Sequence, residues 1–246
     1  MPTILNLGCG TRTSPLTVNI DFSLYQRLRA HRGGNLVAKL LLKGERRAKF
    51  DAMSDNIVVH DLRKGIPAES NSVDAVYHSH TLEHIDRAEV HGLMSEVLRV
   101  LKPGGIHRIV VPDLERLVRA YLEDLEAGSD SHDDTIERFL EQAVRRHAHG
   151  TSQQSPLRQR IENVLLGDAR RRGETHQWMY DSLNLAQLLE ANGFTDIRRV
   201  DENISAIPGW REIGLDVLDD GSPYKPGSLW MEAAKPGRTR SGQQPW

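Results

Sequence analysis

Gly8-Cys9-Gly10 closes a short apolar run at 3–7 (TILNL), and glycines at such a point let the backbone approach a bound molecule closely. Asp21 ends a second run, TVNID at 17–21, where a carboxylate is placed to accept hydrogen bonds from ribose hydroxyls. Asp61-Leu62 comes directly after IVVH at 57–60. A fourth run, VDAVYH at 73–78, ends on His78 and leads into Ser79-His80-Thr81-Leu82-Glu83-His84. A fifth, IHRIVV at 106–111, leads into Pro112-Asp113. Each feature alone has a bland reading: a GxG arises by chance, and Asp21 or Asp61 can be a turn or cap residue. Taken in order, the glycines and the two acids favour a nucleoside ligand. Histidine suits proton transfer at neutral pH. His80 and His176 are therefore the leading candidates for a general base, with Glu83 and Asp113 as alternatives. Glu83 is equally placed to bond backbone amides beneath a cofactor, and Asp113 to cap a helix. Trp178 and Tyr180 are candidates for an apolar wall, or for packing.

These residues need elements to hold them. The five runs read as strands, and helix signals alternate with them, at 35–50 and most clearly at 86–101. There Asp86 and Glu89 form a capping-box pattern, Val90, Leu93, Met94, Val97, Leu98 and Leu101 form one apolar face, and Pro103-Gly104-Gly105 ends it. Asp113 opens a helix carrying Leu114, Leu117, Val118, Tyr121, Leu122 and Leu125. Residues 127–178 are polar and charged, with helical stretches expected at 135–147 and 157–166. Asp181 caps a later helix that Gly193 ends, and two further strands are expected at 195–201 and 228–234. The expected fold is α/β and Rossmann-like: a mostly parallel seven-stranded sheet with helices on both faces and a helical insertion as lid. The last two strands have no helix between them, which suits an antiparallel pair at one edge. Residues 1–126 and 179–235 form the core in this reading, 127–178 the lid and substrate region, and 236–246 a disordered tail. The long connection 203–227 is a second candidate cover.

The chain has 246 residues, room for one α/β domain with an insertion. Its 32 basic and 34 acidic side chains nearly cancel, so no general attraction to nucleic acid or anionic lipid is expected. Cys9 is the single cysteine, with no Cys or His at metal-ligand spacing, so neither a disulfide nor a metal site is expected. No run approaches the roughly 20 apolar residues of a membrane helix, and Met1 leads straight into a strand pattern. A cytoplasmic location is the expectation.

LNLGCG, the acid at Asp21, HDL at 60–62, SVDAVYHSHTLEHI with EVLRVLKPGG, and QWMYDSLNLAQLLEANGFTDIRRV together resemble the class I S-adenosylmethionine (SAM)-dependent methyltransferases, and within them the small type-11-like enzymes. The resemblance covers about three quarters of the chain. It implies SAM as cofactor, held by Asn6, Gly8, Cys9, Gly10, Asp21, Asp61, Leu62 and His78. It also implies biosynthetic methyl transfer to a small acceptor such as a sugar, a polysaccharide precursor or a secondary metabolite, with a hydroxyl as the expected target. In this family a histidine at the place of His84 commonly supports the loop. The glycine loop lacks the third glycine of a nicotinamide-binding loop, having Thr13 there, which suits a ligand without a pyrophosphate. The interval from Gly10 to Asp21 is short, with room for about one helical turn, and Arg12 is a candidate helper for the SAM carboxylate. HSHTLEH replaces the Asn/Asp-Pro-Pro-aromatic segment of nucleic-acid base methyltransferases. A nucleic-acid or protein methyltransferase and a non-catalytic SAM-binding regulator remain as alternatives, and a homodimer is left open.

Overall fold

The computed structural model describes residues 2–144 and 175–237. The helix expected at 157–166 and the tail from 238 onward lie outside the described residues. Seven strands form one sheet: β1 (Ile4–Leu7), β2 (Val18–Asp21), β3 (Val58–Val59), β4 (Val73–Ser79), β5 (Leu101–Pro112), β6 (Thr195–Val200) and β7 (Ser228–Ala234). Their spatial order is β3-β2-β1-β4-β5-β7-β6. The pairs from β3 to β5 are parallel, while β7 runs antiparallel to both β5 and β6. β6 and β7 thus form the antiparallel edge that their direct connection implies.

The strands turn alternate residues to opposite faces. Leu5, Leu7, Val73 and Val76 face the larger core with α4 (Val90–Val100) and the helix Ser182–Ala191. Ile4, Ala75, Tyr77 and Val110 face a smaller core built by Ile207, Trp210, Ile213 and Leu215. That second face is covered by a short helix, Trp210–Ile213, and the chain around it. The connection 203–227 is therefore partly structural cover.

The region that reads as one helix at 35–50 belongs to a set of three short ones: α1 (Leu24–Ala30), α2 (Gly34–Leu41) and α3 (Glu45–Asp51). Gly33 and Gly44 separate them, each at a positive φ. The expected capping box at Asp86 is not formed. Asp86 Oδ1 accepts from Ala88 N at 3.1 Å within a turn, and α4 begins after Glu89, which makes no side-chain cap. Asp113 caps α5 (Leu114–Ala127), which packs on α6 (His132–Val144), the described helix of the insertion. Asp181 and Asn184 form a reciprocal capping box for α7, the helix Ser182–Ala191; the helix Trp210–Ile213 is α8.

His78 and His107 meet across β4 and β5, fully buried, their tilted rings joined by a hydrogen bond between Nε2 atoms 3.0 Å apart. Burial drives His78 down to about 4, and burial with its neighbour drives His107 well below the usual histidine range. Both are neutral when folded, whereas the unfolded chain takes up protons near pH 6.5. Stability is expected to be intact above about pH 6.5 and to fall as pH drops toward 4, by on the order of 3 kcal/mol from His78 and further from His107. Urea melts across that range check it. A His78→Leu/His107→Leu variant should lose most of this dependence, and an unchanged slope would assign it elsewhere.

Candidate functional site

The glycine loop rests on two buried asparagines. Asn6 on β1 sits in register with Asn19 on β2. Asn6 Nδ2 donates to Asn19 Oδ1 at 2.9 Å and to the carbonyl of Arg12 at 3.0 Å, while Asn19 Nδ2 donates to the carbonyl of Ser14 at 3.0 Å. These bonds replace the missing helix as the support for residues 8–17. Gly8 has φ +62°, and a Cβ there would lie 2.5 Å from Thr81 Oγ1, so only glycine lets this loop rest on the turn after β4. Gly10 has φ +54°, and a Cβ there would meet nothing within 4 Å, so its outer side is open.

Asp21 lies across from Gly10. Its Oδ2 accepts from Gly10 N at 2.9 Å and its Oδ1 from Ser23 N at 2.6 Å. Two amides thus orient the carboxylate while each oxygen keeps further acceptor capacity. The Cys9 thiol is buried beside it and pushed up to about 12, by burial first and the Asp21 charge second, so it is an inert packing group.

Other expected ligands have different surroundings. Asp61 caps the turn Leu62–Lys64 and forms a two-pronged pair with Arg63, at 2.9 and 2.8 Å, which lowers its pKa. Leu62 packs against the larger core. His78 points into that core and presents no surface to a ligand. In the sequence it reads as the last residue of its strand run, but β4 continues to Ser79, and strand alternation turns His78 inward. Arg12 donates to the carbonyls of Gly214, Leu215 and Val217 and stacks over the Tyr224 ring at 4.7 Å, so it fastens the glycine loop to the 214–217 segment.

The turn after β4 gathers histidines around one carboxylate. His80 sits at φ +50°, with its backbone N–H still bonded to Val110 O. Its Nε2 is 2.8 Å from Ser228 Oγ and its Nδ1 3.4 Å from Glu83 Oε1. His84 and His176 bring their Nε2 atoms to 3.8 and 4.0 Å from the same oxygen. Their rings meet edge to face with centroids 4.8 Å apart. Glu83 is fully buried. The chain at 175–178 docks there through Gln177 N and Trp178 N, which both donate to Glu83 O, at 2.6 and 3.3 Å. Trp178 stacks on the Arg87 guanidinium at 4.3 Å, and Tyr180 is buried behind it. Asp113 stands apart in role: its Oδ1 caps α5 and its Oδ2 accepts from Arg199 at 2.8 Å.

The site thus unites His80, Glu83, His84 and His176, and separately Gly10 and Asp21. Ser228 escapes a search confined to the carboxyl ends of the strands. β7 is antiparallel, so its first residue, not its last, sits at this end of the sheet, opposite Pro112. Asn19 escapes it too, although a polar residue at an inward position of VNID is its signal.

Residues 5–109 match the family model described as a methyltransferase domain. The chain carries a methyltransferase domain. Its methyl donor is SAM, and Gly10's open side beside the oriented Asp21 carboxylate fits a nucleoside cofactor. Among solved structures, the chain is similar to the YcgJ protein of Bacillus subtilis (11% identity, 96% of this chain and 92% of that chain, TM-score 0.44). It is also similar to SAM-dependent methyltransferases of Archaeoglobus fulgidus (17%, 95% and 86%, 0.41) and Aquifex aeolicus (14%, 95% and 81%, 0.40). No curated protein matches the chain. No helix among the described residues is long and apolar enough to cross a membrane.

Proposed function

We propose that this methyltransferase acts on a hydroxyl of a small acceptor, a sugar, polysaccharide precursor or secondary metabolite, with His80 as general base. The observation that carries this reading is the run of contacts Ser228 Oγ–His80 Nε2–His80 Nδ1–Glu83 Oε1, with the His80 side chain about a quarter exposed. Glu83 orients the ring, and Nε2 is the atom that would take the acceptor's proton while Ser228 holds it in place. Bound SAM supplies an activated methyl group, so the chain's own task is to align the acceptor, exclude water and accept one proton. The segment 127–178 is read as acceptor cover, supported by the seating of 175–178 on the Glu83 turn beside His80.

For the cofactor, Gly8, Gly10 and Asp21 are the proposed contacts, with Asn6 and Cys9 shaping the loop and Asp61 and Leu62 bordering it after β3. Asp21→Ala should weaken SAM binding by about 1.5–3 kcal/mol, the worth of hydrogen bonds to a charged acceptor. Calorimetry on the folded variant reads this, and unchanged affinity would remove Asp21 from the ribose role. A labelled-methyl assay over a panel of sugars and metabolites tests the acceptor. Transfer only to amines or to nucleic acid would overturn the hydroxyl reading.

A further inference from the structure

We propose that Glu83, His84 and His176 form a site for a divalent transition-metal ion of the zinc type. The donor atoms of the three residues, one from each, all lie within 4.8 Å of one another. Ligands around a tetrahedral zinc stand about 3.3 Å apart, given bonds of roughly 2.0–2.1 Å. The observed 3.8 and 4.0 Å from Glu83 Oε1 to the two Nε2 atoms therefore need to close by roughly 0.5 and 0.7 Å, and the two imidazoles must draw together with them.

The tautomers favour a cation at the centre. His84 Nδ1 lies 3.2 Å from the carbonyl of Thr175, and His176 Nδ1 is bonded to the carbonyl of Gln142. Carbonyl oxygens only accept, so both rings carry a proton on Nδ1 and turn Nε2 toward Glu83. Two ring nitrogens and a buried carboxylate oxygen thus converge, and with both rings neutral their Nε2 lone pairs and the carboxylate present three donors to one metal ion. Imidazole held through its far nitrogen by a backbone carbonyl is also how metal-binding histidines are oriented. Two nitrogens and one carboxylate suit zinc, cobalt or iron better than magnesium or calcium, which prefer all-oxygen shells.

Spacing rules could not reveal this set, because it joins residues from the two sides of the insertion. Its structural consequence is a clamp: the ion ties the chain at 175–178 to the turn after β4. Three protein donors also leave a coordination position for water or an acceptor hydroxyl, a role that rests on the O-methylation reading.

The test is titration of the metal-stripped full-length chain with Co2+, then displacement with Zn2+. One equivalent should bind at micromolar affinity or tighter and give the visible absorption of four- or five-coordinate Co2+. His84→Ala and His176→Ala should each weaken it at least 100-fold. His91→Ala, an exposed histidine outside the cluster, should leave it unchanged. SAM affinity and circular dichroism show that the variants are folded, and His84→Gln and His176→Gln replace any that are not. No stoichiometric binding, or binding indifferent to both histidines, overturns the site. The two readings fail separately. Co2+ bound as expected with no hydroxyl acceptor methylated keeps the site and sinks O-methylation. Hydroxyl methylation with a flat Co2+ titration does the reverse.

Discussion

Arg108→Met is expected to lower folding stability by roughly 3–5 kcal/mol, the usual effect of removing one partner from a buried ion pair. Arg108 lies on β5 with no exposed surface. Its Nε donates to Asp216 at 2.8 Å, its Nη1 to Glu232 at 3.0 Å and to Ile204 O at 2.8 Å, and its Nη2 to Asp201 O at 2.7 Å. The guanidinium also stacks on Trp210 at 4.7 Å. Without it, Asp216 and Glu232 lose the charge that both share. Burial already raises the Asp216 carboxyl, against the pull of Arg108 and of the Tyr77 hydroxyl, which donates to Asp216 at 2.6 Å. Urea or thermal unfolding measures the loss, which corresponds to a fall of roughly 6–20 °C in Tm for a domain of this size. Adding Asp216→Leu and Glu232→Leu should recover much of it, since the cost comes from stranded charge rather than lost attraction. A loss below about 1 kcal/mol for Arg108→Met alone would mean that water or a rearranged partner satisfies both acids. The same segment supplies the carbonyls that hold Arg12, so hydrogen exchange at 204–217 should rise in the variant and the glycine loop should loosen with it.

Features of short physical range are legible in the sequence, and those of long range are not. The strands, α4, α5 and α7 announce themselves through local periodicity and caps, and the antiparallel edge comes from a connection whose sequence carries no crossover-helix signal. Asp86 misleads because an aspartate can bond an amide two residues on in a turn as readily as it caps a helix. α1 offers a single cue, Ser23, which accepts from Gln26 N at 3.4 Å and precedes only seven helical residues. Gly8, Gly10 and Asp21 are legible as a group because a parallel sheet puts successive strand ends together. The sequence pattern ends the fourth strand one residue early, at His78, whereas the strand runs on to Ser79 and alternation keeps His78 on the inward face of Val76. Ser228 and the meeting of His176 with Glu83 depend on strand direction and on how the insertion returns, which no local pattern encodes.

His80→Ala is expected to reduce turnover by about 10²-fold or more while leaving SAM affinity nearly unchanged. The two ends of the ring have different partners. Nδ1 faces the buried Glu83 carboxylate, which favours the proton on that nitrogen and leaves Nε2 as the acceptor. Nε2 is met by the Ser228 hydroxyl, so a proton acceptor in the resting site already has a hydroxyl seated against it. A substrate hydroxyl replacing or joining Ser228 would find the base aligned. His80→Gln keeps some polar contact with Ser228 but cannot take up a proton at neutral pH. It should therefore be as slow as His80→Ala, and the histidine limb of the pH profile should vanish in both. Ser228→Ala should cost less, because the serine positions the ring without accepting the proton. His176→Ala should act mainly on acceptor binding, read as a raised KM, since its Nδ1 is occupied by Gln142 and its Nε2 faces Glu83. If His80→Ala and His80→Gln both keep near-normal turnover, the base role fails. Alignment against an already activated donor would then account for the chemistry without proton transfer to this residue.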